Sequence, residues 1–194
     1  MTDALLSATE LRTDSVVLDL AAGSGDPSLS IAERLTTGRI IALDSSHASL
    51  LLAITHAQRL GLTRNIHCIQ ADAHAIPLKE NCADRITCRC GIMFFNETGM
   101  VMSEVLRVLK PGGRAAFLVW GPFEQPFFDA TVTTVLRLVR GAQMPPQART
   151  MFRFATPGSL ANLLKAAGLG DVREQLLGVA RIWSGTPQQL WAYQ

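Results

Sequence analysis

The chain has 194 residues, 48% of them hydrophobic and 18% charged, with a net charge of +2 and four cysteines. That length supports one domain with a substantial core, and the interspersed charges leave no basic stripe of the kind that marks a nucleic-acid partner. The apolar runs are strand-sized, too short to span a membrane, and a start with no signal-type stretch predicts a cytoplasmic protein with reduced thiols.

Val16-Val17-Leu18-Asp19-Leu20 is the nearly continuous apolar run of a strand buried on both faces. It breaks at Ala21-Ala22-Gly23-Ser24-Gly25, after which Asp26-Pro27 predicts an N-cap and first helical turn, with Leu29, Ala32 and Leu35 on the buried side. A second strand is expected over 39–43, ending at Asp44. The helix after it is capped by Ser45 or Ser46, carries Leu50, Leu51, Ile54, Ala57 and Leu60 as its apolar stripe, and stops at Gly61. Strands three and four are expected over 66–69 and from 84 or 85 to 90. A helix through Val101, Met102, Val105, Leu106 and Leu109 then ends at Lys110-Pro111-Gly112-Gly113, a turn before strand five at 114–119. Residues 121–155 read as an insertion with one helix over 127–140. A helix from Thr156-Pro157 to Gly168 and two closing strands, 172–177 and 179–183, complete the chain.

This alternation specifies an α/β fold: a doubly wound, Rossmann-like sheet with helices on both faces. The whole chain, 1–194, reads as a single domain. In such sheets ligands sit beyond the carboxyl ends of the strands, where strand order reverses. Those ends hold the 19–25 segment, Asp44, Asp72 and 89–95. Gly23 and Gly25 let a ligand approach the backbone closely, and the loop amides suit partial negative charge. Asp44 is placed to accept from ribose hydroxyls and Asp72 from an exocyclic amine such as that of adenine. Taken singly, glycines after a strand are ordinary turn formers, Asp44 a helix cap and Asp72 a loop residue. Their joint occurrence at successive strand ends favours a site.

Residues 17–25 resemble the first motif of class I S-adenosylmethionine-dependent methyltransferases, Ile-Ala-Leu-Asp (41–44) their second, and Gln-Ala-Asp-Ala (70–73) their third. Residues 106–114 are similar to the family's turn before strand five. Residues 88–95 and 117–122 lean toward the ubiquinone/menaquinone-biosynthesis C-methyltransferase group. The resemblance implies seven mostly parallel strands in the order 3-2-1-4-5-7-6, with strand 7 antiparallel. It also implies S-adenosylmethionine as cofactor. Asp19 with the backbone of Ala21 and Gly23 would hold the methionine moiety on the Ser24–Gly25 loop, and Asp44 the ribose. Ser45 and Ala73 would flank the adenine, with Asp72 at its amino group and Arg89 and Cys90 near the methionine end. Relatives carry N-terminal helices before strand one, where this chain has about 14 residues, so the termini look trimmed.

Methyl transfer needs a base only where the acceptor must lose a proton, and His74 is the nearest candidate, weighed against an ordinary loop histidine. Met93, Phe94, Trp120 and Phe123 are candidates to line an apolar or aromatic acceptor pocket, equally readable as core of the insertion. Cys88 and Cys90 have no companion ligand pattern, so no metal site is expected. The reading is methyl transfer to a small acceptor, C- or O-methylation, by a monomer or homodimer. One alternative is a non-catalytic S-adenosylmethionine-binding or scaffold subunit. An NAD(P)-dependent oxidoreductase fits less well, because Gly-x-Gly-x-x-Gly needs a third glycine where Ser28 stands. Arg89-Cys90-Gly91-Ile92 after strand four disfavours methylation of a nucleic-acid base.

Overall fold

A computed structural model describes residues 1–144, 146–180 and 184–189, with the side chains of 146 and 147 not described. Five parallel strands form one sheet in the order β3-β2-β1-β4-β5. They are β1 (Val16–Leu20), β2 (Arg39–Asp44), β3 (Ile66–Gln70), β4 (Ala83–Arg89) and β5 (Leu109–Leu118). Order reverses between β1 and β4, so the crevice beyond those two strands is the fold's natural ligand position. Apolar side chains on both faces of the central strands explain this arrangement. Val17, Leu18, Leu20, Ile40, Leu43 and Ile86 are all at most 1% exposed, as strands covered by helices on two sides require.

The helices are α1 (Thr2–Thr9), α2 (Ser28–Ala32), α3 (His47–Leu60), α4 (Thr98–Val108), α5 (Pro126–Phe128), α6 (Thr134–Leu138), α7 (Pro146–Met151) and α8 (Ser159–Ala166). A π-helical turn, Asp129–Thr133, joins α5 to α6, so the helix expected over 127–140 exists as one run of mixed winding. Helix α1 was not legible as an element before β1, and its Thr2 hydroxyl donates to the Asp26 carboxylate.

Several expectations change. The sheet has five strands among the described residues rather than seven. Residues 172–180 are not strand, and 181–183 lie outside the described residues. Glu174 explains part of this: its carboxylate accepts from the backbone N–H of Gly158 and Ala161, tying the segment to the start of α8. That carboxylate, not Thr156, caps α8. Asp26 likewise caps nothing. Helix α2 starts one residue after Pro27 without a side-chain cap, because Asp26 is drawn to Arg89. Lys110-Pro111-Gly112-Gly113 is absorbed into β5 as an irregularity, in which Ala83 pairs with Leu109 and Arg85 with Arg114.

The α3 stripe is also rotated from its expected position. Leu50, Ala53 and Ala57 are buried, whereas Leu51 and Leu60 are 51% and 55% exposed. The i, i+3, i+7 row facing β2 is thus small and narrow. Ser46 caps this helix by accepting from the Ser49 N–H, and Gly61 ends it at φ 70°, where a side chain would be strained.

Truncating Leu50 to alanine is expected to cost about 2–5 kcal/mol, and Leu51→Ala to stay within about 0.5 kcal/mol. Urea unfolding of both variants checks this, and equal costs would refute the rotated stripe.

Candidate functional site

The site begins with Asp19, the fourth residue of β1. It is 0% exposed. Its register partner on β4 is Thr87, whose hydroxyl donates to Asp19 Oδ1 at 2.7 Å. The Ser28 hydroxyl, at the start of α2, donates to Oδ2 at 2.6 Å. One carboxylate therefore joins the strand that enters the glycine loop, the helix that leaves it and the neighbouring strand. None of the ion pairs among the described residues includes it. Burial without a counter-ion pushes its pKa up to about 6, against the opposing pull of the two hydroxyls.

Above Asp19 the loop turns sharply. Ala21 has φ 54°, Gly23 55° and Gly25 110°. Ala21 is a non-glycine residue in the left-handed region, a strain held where structure over-determines it. The Ala22 N–H donates to the Leu43 carbonyl at 3.1 Å, and the Gly23 N–H to Asp44 Oδ2 at 2.8 Å. Asp44 Oδ1 accepts from the Ser46 N–H at 2.8 Å. Asp44, at the tip of β2, thus joins the loop to the start of α3. A Cβ built on Gly23 would meet nothing within 4 Å, so open space lies directly against this backbone.

The β4 end closes the other side. A Cβ on Gly91 would lie 2.5 Å from Ala21 Cβ and 2.9 Å from Cys88 Sγ, so the two loops touch through this glycine. Cys90 has φ 57° and is half-buried. Cys88 is fully buried, and burial pushes its thiol up to about 12, leaving it protonated. Arg89 pairs with Asp26 at 3.0 Å, spanning from β4 to the loop's far side.

At the tip of β3, Asp72 is exposed. Its Oδ1 accepts from the His74 N–H at 2.9 Å and faces His74 Nδ1 at 2.5 Å. These bonds to His74 hold its pKa below the usual carboxylate range. The His74 ring meets Phe95 edge-on at 6.1 Å. Ser45 is exposed and Ala73 buried, and Gln70 Nε2 donates to the Ser45 carbonyl, so the β2 and β3 tips are linked. Asp19, Asp44, the glycine loop and Arg89 are joined by these contacts. Asp72 stands on the adjoining strand, where the Ala71 N–H donates to the Asp44 carbonyl at 3.1 Å.

The acceptor candidates separate. Met93 is 1% exposed, inside the core. Phe94 is 53% exposed. Trp120 and Phe123 pack on Phe128 at 5.4 Å, and Phe123 also meets Phe152 at 5.3 Å, a ring cluster that anchors the insertion.

Sequence reasoning missed Ser28, Thr87 and Gly91. Ser28 was noted only as a missing third glycine, and the structure gives it a positive role: a glycine there would leave Asp19 with one hydroxyl. Thr87 had a usable signal, since a hydroxyl in an apolar strand next to the Asp-bearing strand needs a partner.

Comparison with known proteins bears on the family and the fold. A family model described as a methyltransferase domain matches residues 11–156. The protein named ubiquinone/menaquinone biosynthesis C-methyltransferase UbiE from Sinorhizobium fredii is 29% identical over 94% of this chain and 77% of its own length. The protein of the same name from Blochmanniella floridana is 33% identical over 59% of this chain, and the match spans 45% of its length. The crystal structure of a SAM dependent methyltransferase from Aquifex aeolicus shares the fold, with a TM-score of 0.67 over 86% of this chain and 78% of its own, at 21% identity.

Two outcomes are expected. Gly91→Ala forces the β4 loop and Ala21 apart and lowers the thermal midpoint by several degrees; an unchanged midpoint would show that the loops do not touch. The raised pKa of Asp19 means that the folded chain binds its proton more tightly than the unfolded chain. Its stabilising contribution is therefore full below about pH 4 and lost as pH rises through about 6. Asp19→Asn should gain roughly 3 kcal/mol on the parent between pH 4 and 7, read from urea unfolding at each pH.

Proposed function

The chain belongs to the methyltransferase-domain family, and from that premise we propose that it carries methyl groups from S-adenosylmethionine to a small apolar or aromatic acceptor, by C- or O-methylation. The observation that carries this reading is the open space against Gly23, on the loop that follows Asp19 and whose Gly23 amide Asp44 holds. A nucleoside bearing a cationic amino acid suits that frame in charge. Asp44 spends one lone pair on each bond to Gly23 and Ser46, and a carboxylate has about four acceptor sites, so two ribose hydroxyls can still be accepted. Asp72 uses Oδ1 for His74 and keeps Oδ2 for the adenine amino group, between Ser45 and Ala73. The backbone of Ala21, Gly23, Ser24 and Gly25 holds the methionine moiety. Asp19 supplies negative charge from beneath, and Cys90 lies at the same end. Arg89 acts through its pairing with Asp26 rather than by direct contact.

When bound, the cofactor supplies an activated methyl group on a sulfonium centre. The chain's own work is then to orient the acceptor and exclude water. Phe94, exposed just beyond β4, meets the apolar acceptor in this reading. Trp120 and Phe123 support it as a wall built by the 121–155 insertion. The Sinorhizobium fredii relative, a ubiquinone/menaquinone biosynthesis C-methyltransferase, supports an aromatic acceptor. His74, oriented by Asp72 and backed by Phe95, is held at the rim and serves as base where the acceptor carries a proton to lose. The chain as a single domain, 1–194, contains every residue this reading uses.

Calorimetry with S-adenosylmethionine and its demethylated product tests the cofactor half, and turnover against a panel of phenols and quinols tests the acceptor half. Phe94→Ala is expected to lower kcat/KM at least tenfold while leaving cofactor affinity within twofold. Unchanged turnover would remove Phe94 from the acceptor site, and absence of binding would defeat the whole reading.

A further inference from the structure

Asp19 is a fully buried carboxylate whose partners, among the described residues, are two hydroxyls and no cation. A buried charge normally has an ionic partner, because leaving it unpaired is costly. Here the open space against Gly23 lies on the same loop that Asp19 supports. Two other carboxylates at the loop are already committed. Asp26 is neutralised by Arg89 at 3.0 Å, and Asp44 holds two backbone amides. Asp19 is thus the carboxylate with charge to spare for a cationic amino-acid group.

We propose that Ser28 and Thr87 are a positioning pair that holds Asp19 ionised and fixed under the glycine loop, so that cofactor affinity falls when the solution is acidified. The proposal rests on the functional reading above and deepens it. Both hydroxyls are buried, at 1% and 0% exposure, so neither can exchange its carboxylate for water. Each donates its one proton to Asp19, at 2.6 and 2.7 Å. If Asp19 takes a proton, one of its oxygens becomes a donor, and the hydroxyl bonded to that oxygen must reverse from donor to acceptor. The ties to α2 and β4 are then no longer charge-assisted, and the negative charge is gone. The charged and titratable groups facing Asp19 are Asp26, which disfavours its ionisation, and Arg89, which favours it; the Cys88 thiol beside it stays neutral. Asp26 and Arg89 pair with each other and act in opposite directions, which leaves burial, which disfavours ionisation, opposed chiefly by the two hydroxyls. A pKa pushed up to about 6 places the transition within an ordinary experimental range. Across pH 5 to 7 a free α-amino group stays protonated, so the cofactor does not titrate there.

The test is calorimetric titration with S-adenosylhomocysteine, which keeps the amino-acid cation, from pH 5 to 7. The parent, Thr87→Val, Ser28→Ala and Asp19→Asn are compared, and repeats in buffers of different ionisation enthalpy count protons released on binding. The parent should lose about tenfold in affinity per pH unit below the midpoint and release close to one proton per ligand near pH 5. Either hydroxyl variant should move the midpoint upward by about one unit, giving about twofold weaker binding at pH 7 and about tenfold weaker at pH 5. Asp19→Asn should bind weakly with no dependence on pH. A purely structural role for the hydroxyls would lower affinity by one factor at every pH, which would overturn the proposal. Parent affinity that is flat from pH 5 to 7 with no proton release overturns it without any variant having to fold. Parent protein that binds at no pH would overturn the functional reading itself, a result distinct from binding that ignores pH.

Discussion

The Asp19 carboxylate is the constraint on which the site depends. It is wholly buried, it lacks an ion partner among the described residues, and it is hydrogen-bonded by hydroxyls from two different elements. Removing a charged group from water is expensive, and a neutral residue in its place would make the fold more stable. The chain accepts that cost at the one point where β1, α2 and β4 meet. The glycine loop inherits its position from this junction, which explains how Ala21 can be held at φ 54°. Strain of that kind persists where neighbouring contacts over-determine the backbone.

The second constraint is steric. Gly91 lets the β4 end close against Ala21, and Gly23 leaves its own neighbourhood open. One glycine is required for protein packing and the other leaves open space beside the loop. The distinction matters because both read identically as small residues beside a strand end. Asp44 makes the same division: it fixes the Gly23 amide and the start of α3 through one bond from each oxygen, and lone pairs remain. The loop and the start of α3 are thereby held in one fixed arrangement.

The insertion is held differently. Its rings pack on one another, with Phe128 at the centre of contacts to Trp120, Phe123, Phe127 and Phe152 between 5.2 and 5.4 Å. Aromatic pairs at such spacing add to the burial of area, so this segment has a small core of its own. That leaves Phe94 as the exposed aromatic beside the β4 loop, while the adjacent Met93 turns inward.

From sequence alone, the five strands, their termination at Asp44, near Asp72 and near Cys90, and the glycine loop were all legible. So was the family resemblance that comparison with known proteins then supported. They were legible because burial on two faces demands continuous apolar runs and because turn chemistry is local. What the sequence could not decide was which partner each polar side chain would choose. Asp26 looked like a helix cap until Arg89, 63 residues away, was brought beside it. Ser28 looked like a missing glycine until β1 placed Asp19 under it. The α3 stripe could be drawn through Leu51 as well as Leu50, because only the tilt of the helix on β2 selects between adjacent rows. The Val172–Leu177 segment had a strand's pattern, but Glu174 found the start of α8 instead. Local pattern sets which elements form; competition among distant partners for hydrogen bonds and burial is settled only when those elements pack.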